Sequence, residues 1–254
     1  MRNDQHGTLD QNSVGDSRSI TYRTVVGLSH PIHPGIPLWP GDPPVKFTKA
    51  ASLDSEGFRL SSFTMGEHSG THMNAPKSFH ANGRGIDEYP PESLVAPAVV
   101  LDVRKQASAE ADLRLSVDHL VDWEKRWGPV PQGSFVLLST GWSDKWGNPR
   151  EYLGYDFGGQ MHFPGFGLAT AQMLFNERGV AGLGIDTHGL DGGCIPGQNP
   201  AFAINQLAMQ QPRIALENLA NLHPLPPVGC TLVIGILRLK DGAGSPASVT
   251  AFVP

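Results

Sequence analysis

The sequence predicts an α/β protein, and three observations carry that reading. Short runs rich in Val, Leu, Ile and Thr recur along the chain, amphipathic helices with readable caps stand between them, and frequent Gly and Pro punctuate both. The runs fall at 24–28, 95–103, 134–140, 180–187, 231–239 and 249–253. Each is a strand candidate by its β-branched content and its turn-forming flanks.

Two helices are well marked. Ser116 is an N-cap for the stretch starting Val117-Asp-His-Leu-Val-Asp-Trp123, which ends at Gly128. Residues 168–178 place Leu168, Ala171, Leu174 and Phe175 on one face and stop at Gly179. A weaker helix over 200–210 is closed by Pro212. The segment from His30 to Pro44 cannot be helical, because proline recurs throughout it. It reads equally well as the lining of a site or subunit interface and as a cluster of surface turns.

The composition bounds the function. At 254 residues, with 39% hydrophobic and 17% charged residues, the chain is long enough for a large core and reads as an ordinary globular protein. A net charge of −5 gives no electrostatic footprint for nucleic acid or acidic membranes. No run of about 18 apolar residues offers a spanning helix. Residues 1–20 are polar, lack a signal-peptide core and read as a disordered tail, followed by one domain over 21–254. Cys194 and Cys230 form no C-x-x-C pair, so they read as buried thiols in a cytoplasmic protein.

The most informative stretch is Met65-Gly-Glu-His-Ser-Gly-Thr-His-Met-Asn-Ala-Pro-Lys-Ser-Phe-His80. Gly70 and Pro76 argue against a helix, so the spacing is read in extended geometry, where His68, His72 and Asn74 share a face. Two imidazoles and an oxygen donor suit Zn²⁺ or Mn²⁺, with Gly70 leaving room for the ion. The residues alone leave this and an ordinary hydrogen-bonded histidine pair evenly open. Trp39, Phe47, Phe79 and Trp142 are candidates for an apolar wall, and core packing accounts for most of them equally well.

The same segment resembles the His-x-Gly-Thr-His-x-Asp-x-Pro-x-His signature of the cyclase family, which includes bacterial kynurenine formamidase, isatin hydrolase and polyketide cyclases. Pro34-Gly-Ile-Pro-Leu-Trp-Pro-Gly-Asp42, Thr140-Gly-Trp142, Phe163-Pro-Gly165, Gly184-Ile-Asp-Thr187, Leu216-Glu-Asn-Leu219 and Gly244-Ser-Pro246 follow the family order. The resemblance implies a swivelling β/β/α fold with a mixed central sheet and flanking helices. It also implies a homo-oligomer, a dimer or larger, with the 31–44 loop as a candidate contact.

The departures fall on the chemistry. The resemblance places the family's two metal-binding histidines on His68 and His72, its bridging aspartate on Asn74 and its third signature histidine on Ser78. A later family histidine falls on Asn205, twelve residues before Glu217. With Asn74 and Asn205 in those places, one divalent ion is expected, Zn or Mn, held by His68, His72 and an oxygen of Asn74 or Glu217. His80, two residues beyond Ser78, is the first candidate for the missing proton carrier. His188, between Asp186 and Asp191 at a strand end, is a second, although a loop histidine bonded to one of those aspartates is the more ordinary reading. The implied activity is hydrolysis of a small amide, formamide or lactam, with Ser78 beside the substrate pocket. Cyclisation or lysis of a biosynthetic substrate, and a ligand-binding protein without catalysis, are the alternatives.

Overall fold

A computed structural model describes residues 19–193 and 201–254. Twelve strands are found among them: β1 (Thr24–Gly27), β2 (Lys46–Ala51), β3 (Leu60–Thr64), β4 (His72–Asn74), β5 (Val95–Asp102), β6 (Arg114–Leu115), β7 (Phe135–Ser139), β8 (Gly165–Phe166), β9 (Gly182–Ile185), β10 (Ile214–Glu217), β11 (Cys230–Ile236) and β12 (Gly244–Val253). Six α-helices accompany them: α1 (Leu53–Glu56), α2 (Arg104–Ala109), α3 (Val117–Trp127), α4 (Pro149–Leu153), α5 (Leu168–Asn176) and α6 (Ala203–Met209). The predicted tail over 1–20 (save its last two residues), Cys194 and the opening of the 200–210 helix lie outside the described residues. Among the described residues no helix is long and apolar enough to cross a membrane.

Eight strands form one mixed sheet in the order β1-β12-β11-β5-β7-β9-β10-β4. The run from β5 through β7 and β9 to β10 is parallel, and the remaining pairings are antiparallel. Strand β12 also pairs with β4, which closes the sheet on itself. Side chains alternate across it as the period of two requires. Ala98, Val100, Phe135, Leu137, Leu216 and Met73 fill its interior, with Leu232 and Val249. Val99, Leu101, Val136, Leu138, Leu183 and Ile185 face outward onto the helices.

Helix α3 begins where the sequence predicts, because Ser116 accepts the His119 backbone N–H while His119 reaches back to Ser116. It stops at Gly128, whose φ of 90° suits glycine alone. Leu120 and Trp123 are its buried face, and the Trp123 indole donates to the Val100 carbonyl at 2.9 Å. Ala171, Leu174 and Phe175 of α5 pack in the same cluster. Each fully buried side chain of this size contributes about 1.5–3 kcal/mol. Arg178, after α5, grips both carboxylate oxygens of Glu124 on α3 at 2.8 and 2.9 Å, which fixes the two helices in register.

Several strands depart from the sequence reading. β12 starts at Gly244 rather than 249, because closure against β4 extends it backward through Pro246. β4 and β10 are only three and four residues long, too short for periodicity to mark. The β2–β3 ribbon, also missed, stands apart from the main sheet with nearly all its residues exposed.

Candidate active site

The site forms where β4, β10 and β12 meet. In the antiparallel register His72 lies opposite Glu217, and Asn74 lies opposite both Ala215 and Gly244. Met73 points into the sheet interior, so His72 and Asn74 share the other face with Glu217. The period of two therefore holds from His72 to Asn74, but it does not reach His68. Residues 67–70 form a turn, and Gly70 has a φ of 70°. The turn, rather than an extended chain, brings the His68 ring to 5.2 Å from the His72 ring, edge to face.

This corrects the role read for Gly70. A side chain there would touch Ile32, not the histidines, so glycine is needed for the left-handed backbone. The space beside the histidines comes instead from Gly244, where a Cβ would come within 2.8 Å of His68 Nδ1.

The hydrogen bonds orient each group. His72 Nδ1 lies 2.9 Å from the Gly70 carbonyl, which can only accept, so that nitrogen carries the proton. Nε2 then presents its lone pair to Glu217 Oε2 at 3.1 Å. Two acceptors at that distance require a positive species between them, either a proton or a metal ion. Ligands about 2.0–2.2 Å from a shared ion are commonly separated in this way.

Glu217 is buried, and its other oxygen accepts from the Leu190 N–H and from Asn205 Nδ2, each at 2.9 Å. Burial alone pushes this carboxyl up. The His72 contact, Asn205 and the Leu190 N–H outweigh that and hold it at about 2.

Asn205 Nδ2 also lies 3.2 Å from Asp191 Oδ2, so its amide nitrogen faces two carboxylates and its oxygen faces away. That oxygen accepts from Asn74 Nδ2 at 3.1 Å. Asn74 Oδ1 is thereby turned toward His68, with which Asn74 makes a hydrogen bond. Burial, with the nearby His72 ring, lowers His68 to about 4 against the opposing pull of Glu217 and Asn74. It is neutral near pH 7, the form that binds metal. Among the described residues no three His, Cys, Asp or Glu side chains group as a metal site, so His68, His72 and Glu217 do not already stand at ligand spacing. The imidazoles of His68 and His72, Asn74 Oδ1 and Glu217 Oε2 are donor types that divalent ions accept.

His188 follows β9, as its position after a strand suggests, but neither neighbouring aspartate holds it. Asp186 takes the Thr140 hydroxyl and the Thr140 and Gly141 N–H groups, and Asp191 takes the Ile204 and Asn205 N–H groups. The His188 ring instead lies flat on Trp39, with centroids 5.5 Å apart, and meets Tyr152 edge-on at 6.1 Å. Its Nδ1 has no partner, and it hydrogen-bonds Asn218. Burial, with His72 nearby, lowers it to about 4.

Asn218 was not singled out by sequence reasoning as a site residue, yet it ties the site together. Its left-handed backbone (φ 56°) sits in the core, Nδ2 donates to the Gly70 carbonyl at 2.8 Å, and Oδ1 accepts from the Tyr152 hydroxyl at 2.8 Å. Asparagine after a buried glutamate is the one sequence signal for it, since Asn tolerates that conformation.

The other candidates divide. Pro76 opens a 3₁₀ turn over Pro76–Ser78, so Ser78 and His80 do not continue the extended face of His72. The Ser78 hydroxyl donates to the Ala243 carbonyl, and the His80 ring lies 3.1 Å from the Gln206 carbonyl. Trp39 and Phe79 both contact Phe202. Trp142 is buried, its indole N–H donating to the Tyr152 carbonyl in a cluster with Trp146 and Phe163. Phe47 pairs with Phe63 on the ribbon.

The chain thus combines a closed mixed sheet with a histidine–carboxamide–carboxylate cluster on one face. The Cyclase family model matches residues 26–192, and the chain belongs to that family. It is 32% identical over 219 residues to isatin hydrolase of Roseibium aggregatum, covering 84% of this chain and 82% of that protein. Kynurenine formamidase of Salinibacter ruber is 34% identical over 85 residues, covering 33% of this chain and 40% of that protein. Among solved structures, isatin hydrolase A from Ralstonia solanacearum superposes with a TM-score of 0.86 at 32% identity, over 91% of this chain and 92% of that one.

A methyl group at position 244 would push against the His68 ring. Gly244→Ala is expected to weaken divalent-ion affinity by roughly 10–100-fold. Calorimetric metal titration checks this, and undiminished affinity would remove His68 from the centre.

Proposed function

We propose that this chain hydrolyses the carbon–nitrogen bond of a small amide, with a lactam or N-formyl amide as the preferred substrate. The carrying observation is the 32% identity with isatin hydrolase across most of both chains, joined to a site whose His72–Glu217 contact needs a proton or a metal ion between the two groups. His68 and His72, with an oxygen of Asn74 or Glu217, would hold one ion, Zn²⁺ or Mn²⁺. Such an ion supplies Lewis acidity toward a carbonyl and lowers the pKa of water from 15.7 to about 7.

The protein's own groups do the rest. Where Asn74 supplies the oxygen ligand, Glu217 Oε2 stays ionised at the His72 edge and is free to accept a proton from an incoming water. His188 presents the free Nδ1 lone pair of a neutral imidazole, which suits accepting a hydrogen bond from that water or from the substrate N–H. In hydrolysis the hydroxyl adds to the carbonyl carbon, the C–N bond breaks, and the proton passes to the departing nitrogen. Trp39 and Phe79 offer the ring beside it an apolar wall. The cyclase and lyase alternative has no comparable support in the residues.

The test uses purified protein loaded with Mn²⁺ or Zn²⁺. Isatin or N-formylkynurenine is expected to be hydrolysed, chelation or His72→Ala to abolish turnover, and His188→Phe to lower kcat about 10²-fold or more with the metal retained. Turnover that survives chelation contradicts the proposal.

We also propose self-association into a dimer or larger assembly. Phe47, Phe58, Leu60 and Phe63 are all about half exposed on or beside the β2–β3 ribbon, and a two-stranded ribbon is marginal by itself in water. The 31–44 loop runs directly into β2. Sedimentation at micromolar concentration is expected to show at least a dimer, reduced to monomer by Phe47→Glu with Phe63→Glu. A monomeric wild type would contradict this.

A further inference from the structure

Phe202 joins two features that each disfavour a phenylalanine. Its backbone is left-handed, with φ 61° and ψ 24°, a conformation that bulky side chains avoid. Its ring remains 38% exposed, so burial does not compensate for the strain. The residue caps α6 without any side-chain hydrogen bond to it, and a Ser, Asn or Gly there would suit the helix better. Local folding therefore gives no reason for Phe at this position.

The surroundings give one. The Phe202 ring lies 5.9 Å from Trp39, tilted 52°, and 5.8 Å from Phe79, tilted 46°. These are ordinary aromatic contact distances. Phe202 thus stands between Trp39 and Phe79 as the middle of a three-ring row. Trp39 lies flat on His188, whose Nδ1 is unpartnered. Asn205, three residues further along α6, donates to Glu217 and accepts from Asn74. One helix therefore supplies the amide at the polar centre and the aromatic ring beside it.

We propose that Phe202 is a specificity-determining residue. Its left-handed backbone holds the ring at the centre of the Trp39–Phe202–Phe79 row, and the flat face of a ring-bearing substrate stacks there while its amide meets the His72–Glu217 centre. The assignment of the amide rests on the hydrolase reading, whereas the stacking itself does not. Strain of this kind persists where the surrounding structure enforces it for use.

The experiment compares two ligands of the same connectivity, oxindole and its saturated analogue octahydroindol-2-one, binding to metal-loaded protein by calorimetry. Wild type is expected to prefer the flat ligand by roughly tenfold, and Phe202→Leu to reduce that preference to about twofold, the scale of one aromatic stacking contact. In thermal melts Phe202→Gly should exceed Phe202→Ala, because only glycine relieves the left-handed backbone. An unchanged preference in Phe202→Leu, no preference in wild type, or a Gly variant less stable than the Ala variant would each overturn the proposal. Wild type that prefers oxindole but hydrolyses no amide would instead remove the hydrolase reading and leave this one standing.

Discussion

His72 has almost no freedom in how it meets its neighbours, and the rest of the site follows from that. Strand register sets it opposite Glu217, and the turn through Gly70 places a carbonyl against its Nδ1. With that nitrogen committed as a donor, only the other faces the carboxylate 3.1 Å away. In a buried medium of low dielectric the pair repels strongly unless a proton or a metal ion sits between them. Asn218 secures the arrangement from behind by holding the Gly70 carbonyl, and Tyr152 secures Asn218.

The second consequence concerns charge. Glu217, buried, and Asp191, half-buried, are carboxylates that share the Asn205 amide nitrogen. Burial raises Asp191 to about 6, against the N–H groups of Ile204 and Asn205 that lower it. The amide NH2 donates a hydrogen bond to each carboxylate without adding charge. Asn74 donates to Asn205, and the forced amide orientations leave one oxygen, Asn74 Oδ1, facing the histidines. On the reading proposed above, the centre holds a single cation.

Much of this was legible in the sequence. Ser116 and Gly128 fixed α3 at both ends, and the strands at 95–103 and 134–140 needed only trimming. His72, Asn74 and Glu217 were marked as one site, and they share one face of adjacent strands. The path to His68 was not legible, because a turn and an extended chain give the same residue spacing until the Gly70 backbone is known. Gly244 and Asn218 escaped because their work is steric and conformational, which composition does not record. The partners of His188 escaped for a related reason, since both nearby aspartates are spent on backbone N–H groups contributed by distant segments.

The most direct test is the number of ions the folded chain retains. Protein equilibrated with excess Mn²⁺ or Zn²⁺, freed of unbound metal and measured by elemental analysis should hold one ion per chain. The Asn74→Asp, Asn205→His double variant, which returns charge and an imidazole to the shared space, should hold two. Two ions in the wild type would contradict the account.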